Sequence, residues 1–219
     1  MPARLRPTAP IAAAAVLVGD PGRALMLAQA LLEEPKMSNH ARGLWGYTGR
    51  TPAGHDLSIQ ATGMGGPSAA LVLADLAELG VRRAVRVGTG TALDPGLAVG
   101  QLLAIEEAHA WSGTGAGESV LPDPGLTAEL RRRLGDSARA ASVASLDTLH
   151  GGGAPAPVPA GDVADMQTAA LFGRAADLGV RLAAVLVVSE STGGERGDDE
   201  ASEAAAKLAG AAASLALST

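Results

Sequence analysis

The stretch Ile11-Ala12-Ala13-Ala14-Ala15-Val16-Leu17-Val18-Gly19-Asp20-Pro21-Gly22-Arg23 decides the fold. Its apolar run up to Val18 shows no alternation with polar positions, so the strand it forms is buried on both faces, as in a parallel sheet. The run is well short of the roughly 18 apolar residues a membrane span needs. Arg4 and Arg6 precede it in the manner of a secretory signal, but it leads into a Gly-Asp-Pro strand end rather than a cleavage site. Beyond it, Ala24, Leu25, Leu27, Ala28 and Leu31 recur at helical spacing and predict a helix over 22–32.

The same alternation continues along the chain. Strands over 43–48 and 57–62, joined by Thr51-Pro52-Ala53-Gly54, read as a hairpin with a longer loop. Gly63-Met64-Gly65-Gly66-Pro67-Ser68 then opens a helix to about Leu79, with Pro67 suited to its first turn. A short strand over 84–87 runs into Gly88-Thr89-Gly90-Thr91, and a strand covers 101–110. Helices over 124–134, 165–178 and 198–217 alternate with strands over 139–144 and 181–188. The Gly-, Ala- and Pro-rich stretch 151–161 has no periodicity and reads as a loop, in this architecture a candidate lid. The pattern predicts one α/β domain over residues 1–219, a three-layer α/β/α arrangement around a twisted, largely parallel or mixed sheet.

Composition narrows the function. The 219 residues are 47% hydrophobic but only 2% aromatic, and about a fifth are alanine, so the core is built from small aliphatic side chains. Seventeen Lys and Arg against 23 Asp and Glu give a net charge of −6, which argues against a nucleic-acid partner bound through its phosphates, and with no apolar span no membrane partner is expected. With no cysteine, disulfides, thiolate metal sites and cysteine nucleophiles are excluded, and the four histidines lack metal-ligand spacing. A cytoplasmic protein with no bound metal is expected.

In such a sheet, ligands bind beyond the carboxyl ends of the strands. Three strands end in glycine-containing segments, Gly19-Asp20-Pro21-Gly22-Arg23, Gly63-Met64-Gly65-Gly66 and Arg86-Val87-Gly88-Thr89-Gly90. Glycines leave backbone N–H groups open to an anion, and a following helix N-terminus adds partial positive charge. A lone glycine turn is a turn, and a lone arginine a solvated charge. Arg23, Arg86 and Arg42 converging on such turns would instead form a pocket for a doubly charged oxyanion such as phosphate. Arg131-Arg132-Arg133 reads as a solvated helix face balanced by Glu129 and Asp136, and His55 and His109 as structural.

These segments, with Ala41-Arg42-Gly43-Leu44-Trp45-Gly46-Tyr47-Thr48-Gly49, Asp165-Met166-Gln167-Thr168-Ala169-Ala170 and Val187-Val188-Ser189-Glu190, resemble the nucleoside phosphorylases of the purine and uridine phosphorylase type, in the family's order and at similar separations. The resemblance implies that Gly19, Arg23, Arg86 and Thr89 bind phosphate and that Arg42 is donated to a neighbouring subunit's site in a homodimer or homohexamer. Met64 and Met166 would line the ribose. Leu149 and His150 stand where the family lays an aromatic residue on the base, and Ser189 falls within the nucleoside site. Glu190 stands where purine-specific members have an aspartate that protonates the base.

Two departures bear on chemistry. Gln167 replaces a glutamate that accepts hydrogen bonds from the ribose 2′- and 3′-hydroxyls, and an amide both accepts and donates. Glu190 is one methylene longer than the family's aspartate, and the last helix offers no evident basic residue to assist it. The resemblance implies cleavage of a purine nucleoside by inorganic phosphate, without another cofactor, to free base and pentose 1-phosphate. Glu190 and Arg86 would be the catalytic residues. The alternatives are hydrolysis, as in the related nucleosidases, and a non-catalytic phosphate- or nucleoside-binding protein on the same scaffold. Pyrimidine specificity is disfavoured because the 151–161 loop has no Gln–Arg pair to read a pyrimidine edge.

Overall fold

The computed structural model describes residues 4–112, 115–147 and 160–218. In chain order the elements are β1 (Ala14–Val18), α1 (Pro21–Leu31), β2 (Glu33–Asn39), a 3-10 turn (Ala41–Gly43), β3 (Gly46–Arg50), β4 (Asp56–Ala61), α2 (Gly66–Glu78) and β5 (Arg83–Ala92). They continue as β6 (Leu102–Ser112), β7 (Gly115–Val120), α3 (Pro124–Leu134), β8 (Ala138–Leu146), β9 (Val163–Asp165), α4 (Thr168–Leu178), β10 (Arg181–Glu190) and α5 (Asp199–Ala216).

Strand β1 is buried at every position, as its unbroken apolar run predicts. Its side chains alternate between two cores. Val16 and Val18 join α1, α3 and α5 on one face, whereas Ala15 and Leu17 join α2 and α4 on the other. That sandwich is the expected three-layer α/β/α domain. The sheet is mixed: β1 pairs in parallel with β4 and β5, β10 in parallel with β5, and β3 antiparallel with β4.

One half of the sheet closes on itself. β10 pairs with β5 and β6, β6 with β8, β8 with β9, and β9 returns to β5 at Thr91–Ala164 and Ala92–Val163. Strand β5 therefore belongs both to an open half of mixed strand direction and to a closed ring of five strands. Gly90 permits the closure, since a Cβ there would lie 2.6 Å from Val163 Cγ2 and 2.8 Å from the Ala164 carbonyl oxygen.

Several expectations are corrected. The segment Gly88-Thr89-Gly90-Thr91 is not a turn after a short strand but the continuation of β5, held straight by β10 alongside it. Helix α4 starts at Thr168 rather than Asp165, because residues 163–165 extend to form β9. Strand β2 escapes the hydrophobic pattern, being a polar edge strand that pairs with β3 alone, and β7 lies in a stretch with no apolar period. The expected loop over 151–161 falls, up to residue 159, outside the described residues. Within the arginine triplet, Arg132 and Arg133 pair with Glu129 as expected, while Arg131 pairs with Glu106 of β6 instead. His55 is structural as expected, its ring nitrogens meeting Thr51 Oγ1 at 2.9 Å and Ser214 Oγ of α5 at 3.4 Å.

Candidate active site

The chain leaves β1 into α1 on one face of the sheet and leaves β4 into α2 on the other. Neighbouring parallel strands whose helices depart to opposite faces open a crevice at their carboxyl ends. A cavity of about 230 Å³ lies there. Gly19, Asp20 and Arg23 come to it from the β1–α1 junction, Gly63, Met64 and Gly65 from the loop after β4, Arg86, Gly88 and Thr89 from β5, and Met166 and Gln167 from the lead into α4. Two of the three expected arginines are thus brought to one place.

Arg86 is only 4% exposed. Strand alternation turns it to the α2/α4 side, where Gly88, two residues on, leaves space: a Cβ there would lie 2.6 Å from Arg86 Nη2. The guanidinium donates from Nε to Thr168 Oγ1 (3.1 Å), from Nη1 to Gln167 Oε1 (2.6 Å) and from Nη2 to Asp165 Oδ2 (2.9 Å). Asp165 is the hub of this arrangement. It also accepts from the hydroxyls of Ser145 and Thr168, both at 2.6 Å, and from the backbone N–H groups of Gln167 and Thr168 that open α4. One carboxylate therefore caps the helix and neutralises the arginine, which satisfies the requirement that buried charges be paired and hydrogen-bonded.

Gln167 extends the network towards the loop after β4. Its Oε1 lies 3.2 Å from Thr62 Oγ1, and its Nε2 donates to the Gly63 carbonyl oxygen at 2.5 Å. Gly63 takes φ 74°, and a Cβ there would lie 2.8 Å from Ser68 Oγ. Glycine is thus required both by conformation and by space.

Arg23, half-buried, lines the same cavity from α1, its backbone N–H donating to the Asp20 carboxylate that caps the helix. Burial lowers its pKa most, opposed by Asp20; nearby Arg86 lowers it further and Glu203 of α5 raises it. An anion bound near Arg23 would offset both the loss of solvent and the repulsion from Arg86 that act on its charge.

A second recess of about 180 Å³, lined by Ser145, Asp147 and Ala170 among others, shares Met166 with the first. Met64 stands at the mouth of the first cavity, 88% exposed. Ser189 and Glu190 lie at the end of β10 and do not line the cavity: Ser189 Oγ donates to the Gly90 carbonyl, and Glu190 sits opposite Thr91 in register. Arg196 Nε donates to Glu190 Oε2 at 3.0 Å. A basic partner for Glu190 is therefore present, supplied by the segment before α5 rather than by the helix itself. Arg42 is exposed on the 3-10 turn with φ 59°, away from this chain's own cavity. Leu149 and His150 lie outside the described residues.

Thr62 and Arg196 carry no signal of their own in the sequence, and Asp165 and Thr168 stand there only as part of a motif, without a role. An aspartate followed by Thr168 at the head of an apolar helix is a capping signal, but nothing in the spacing links it to Arg86. Among the described residues no cluster of three His, Asp or Glu is placed to hold a metal ion, and no helix is long and apolar enough to cross a membrane.

The model of the phosphorylase superfamily matches residues 13–219. The chain belongs to the phosphorylase superfamily. It is 30% identical over 202 residues to the DeoD-type purine nucleoside phosphorylase of Streptococcus uberis, covering 86% of this chain and 85% of that one. To the DeoD-type purine nucleoside phosphorylase of Clostridium perfringens it is 32% identical over 194 residues, with 82% of each chain covered. Among solved structures, the uridine phosphorylase of Vibrio fischeri superposes with a TM-score of 0.83 at 20% identity over 95% of this chain and 92% of that one. The purine nucleoside phosphorylase of Toxoplasma gondii, in complex with immucillin-H, superposes with a TM-score of 0.82 at 19% identity, covering 94% and 90%. At those identities the two structures establish the fold. The superfamily relationship establishes the chain as an enzyme of the nucleoside phosphorylase type, with phosphate as co-substrate and no further cofactor.

Proposed function

We propose that this phosphorylase cleaves the N-glycosidic bond of a purine nucleoside or close analogue with inorganic phosphate, releasing free base and pentose 1-phosphate. The observation that carries the reading is the convergence of Arg23 and Arg86 on one small cavity that Gly19, after β1, and Gly88 and Thr89, within β5, also line. The choice of a purine is supported by the names of the relatives at 30% and 32% identity and by the carboxylate of Glu190 on the strand beside β5.

As the glycosidic bond breaks, positive charge develops at the sugar's anomeric carbon. A phosphate dianion held by the arginines stabilises that charge and then forms the new C–O bond. The departing purine takes its proton at N7, and Glu190 is the group assigned to deliver it. The recess behind Met166 is the natural place for the sugar and base. Arg42, turned outward in the left-handed region, is assigned to the site of a second copy, which makes a homodimer or larger homo-oligomer the working unit.

The test is release of base from a panel of ribo- and 2′-deoxynucleosides with and without phosphate. Phosphate-dependent release is expected. Release at the same rate without phosphate would instead establish a hydrolase, and phosphate binding without any turnover a binding protein.

A further inference from the structure

Gln167 lines the cavity with most of its hydrogen-bonding capacity used inside the protein, one Nε2 hydrogen being left over. It is 4% exposed, and both ends of its carboxamide are bonded within the protein: Oε1 accepts from Arg86 Nη1 at 2.6 Å, and Nε2 donates to the Gly63 carbonyl oxygen at 2.5 Å. We propose that Gln167 is a positioning residue for phosphate, tying the Arg86 guanidinium to the loop after β4, and not a reader of the sugar hydroxyls. This inference rests on the phosphorolysis reading above.

Two physical arguments require an amide. First, a single side chain here must accept from a guanidinium at one end and donate to a carbonyl at the other, which a carboxylate cannot do. A glutamate would set an acceptor oxygen against the Gly63 carbonyl. Second, the charges at the cavity are already balanced, with Arg23 and Arg86 matched by Asp20 and Asp165. A further carboxylate would make the surroundings net negative before a dianion arrives, whereas the neutral amide fixes the arginine without competing for it. Of the five N–H donors of Arg86, three serve Thr168, Gln167 and Asp165, so the bonds described leave two for a phosphate. With the residue 167 oxygen engaged by Arg86 and Thr62, the 2′-hydroxyl finds no acceptor there, and ribo- and 2′-deoxynucleosides should react with kcat/KM of the same order.

The experiment compares wild type, Q167E and Q167M. Inorganic phosphate binding is measured calorimetrically, and KM and kcat are measured for phosphate, a purine ribonucleoside and its 2′-deoxy counterpart. Phosphate affinity should fall about tenfold in both variants, in Q167M because Arg86 loses an acceptor that holds it and in Q167E because the added negative charge and the lost donor to Gly63 displace it, while nucleoside KM stays within about twofold. Q167M keeps the volume and adds no charge, so it reports even if a buried glutamate unfolds the chain. The inference is overturned if Q167E binds phosphate like wild type and gains preference for the ribonucleoside, or if both variants weaken phosphate and nucleoside equally. Wild type that binds no phosphate overturns this inference and the phosphorolysis reading together. Phosphate-dependent turnover with variants indistinguishable from wild type overturns this inference alone.

Discussion

Arg86 Nη2 and Asp165 Oδ2 lie 2.9 Å apart, with only 5% and 1% of their side chains exposed. Removing one member of such a pair leaves the other buried and uncompensated, which typically costs about 3–5 kcal/mol. Asp165→Ala should therefore destabilise the chain by about that amount, and by more than Asp165→Asn, which retains an acceptor for the Ser145 and Thr168 hydroxyls. Urea denaturation of the two variants beside wild type measures the difference, and a loss below about 1 kcal/mol for the alanine would refute the pairing.

Gly88→Ala places a methyl group 2.6 Å from Arg86 Nη2 and 2.8 Å from Leu186 Cδ2. Leu186 is in the core and cannot yield easily, so the guanidinium must move. Overpacking of this kind costs about 1–3 kcal/mol, and a displacement near 1 Å at the reacting groups can lower the rate about 10²-fold. The expected signature is a raised phosphate KM in a folded protein. Unaltered phosphate kinetics would mean that Arg86 does not face the ligand.

Arg42→Ala tests whether the working unit has more than one copy. The residue is exposed in an isolated chain, so stability should be nearly unchanged, while phosphate affinity should fall about tenfold if Arg42 completes a neighbour's site. Mixing Arg42→Ala with Arg86→Ala subunits should restore activity, because a mixed interface carries one site with both arginines. No restoration, with the two variants shown to co-assemble, counts against it.

Glu190→Gln removes the proposed proton donor, and general acid catalysis is typically worth about 10²–10⁴-fold. The loss should appear in kcat with inosine-like substrates. It should largely disappear with a nucleoside already methylated at N7, whose base departs without needing a proton there. An equal loss with both substrates would assign Glu190 to binding instead.

Glu129 carries a pH prediction. Hydrogen bonds from Arg132 and then Arg133 hold its pKa at about 2, against an ordinary 4.5. A carboxylate depressed in the folded state contributes stability in full above about pH 4.5 and loses it as the pH falls towards 2. The site is exposed, so the contribution is small and screened by salt. Thermal unfolding of Glu129→Gln should differ from wild type at neutral pH and low salt, and converge with it near pH 2.

The sequence revealed most of what the backbone does at the site and little of what the side chains do to one another. The unbroken apolar run of β1, the glycines at the strand ends and the arginines beside them are local signals, and they located the cavity. The partnership of Arg86 with Asp165 joins residues 79 apart in sequence, and only the ring closure through β9 brings them together. The same closure explains why α4 begins three residues later than its periodicity predicts. Gln167 shows the limit most clearly. Its substitution is legible as a change at a sugar-binding position, but the donor it gives to Gly63 depends on a loop about a hundred residues earlier. Arg196 was illegible for another reason: it reaches Glu190 through a short turn before α5, where no periodic pattern points at a partner.

The ring of five strands has a kinetic consequence. Its seams join β5 to β10 and to β9, so nearly half the chain must be looped before Arg86 has walls on both sides. Closure of such distant contacts delays folding in proportion to the loop entropy that must first be overcome. Chains still emerging from synthesis therefore lack the phosphate pocket until the tenth strand docks. Phosphate, binding only after that event, acts as a late lock on the finished molecule and should slow unfolding more than it speeds refolding.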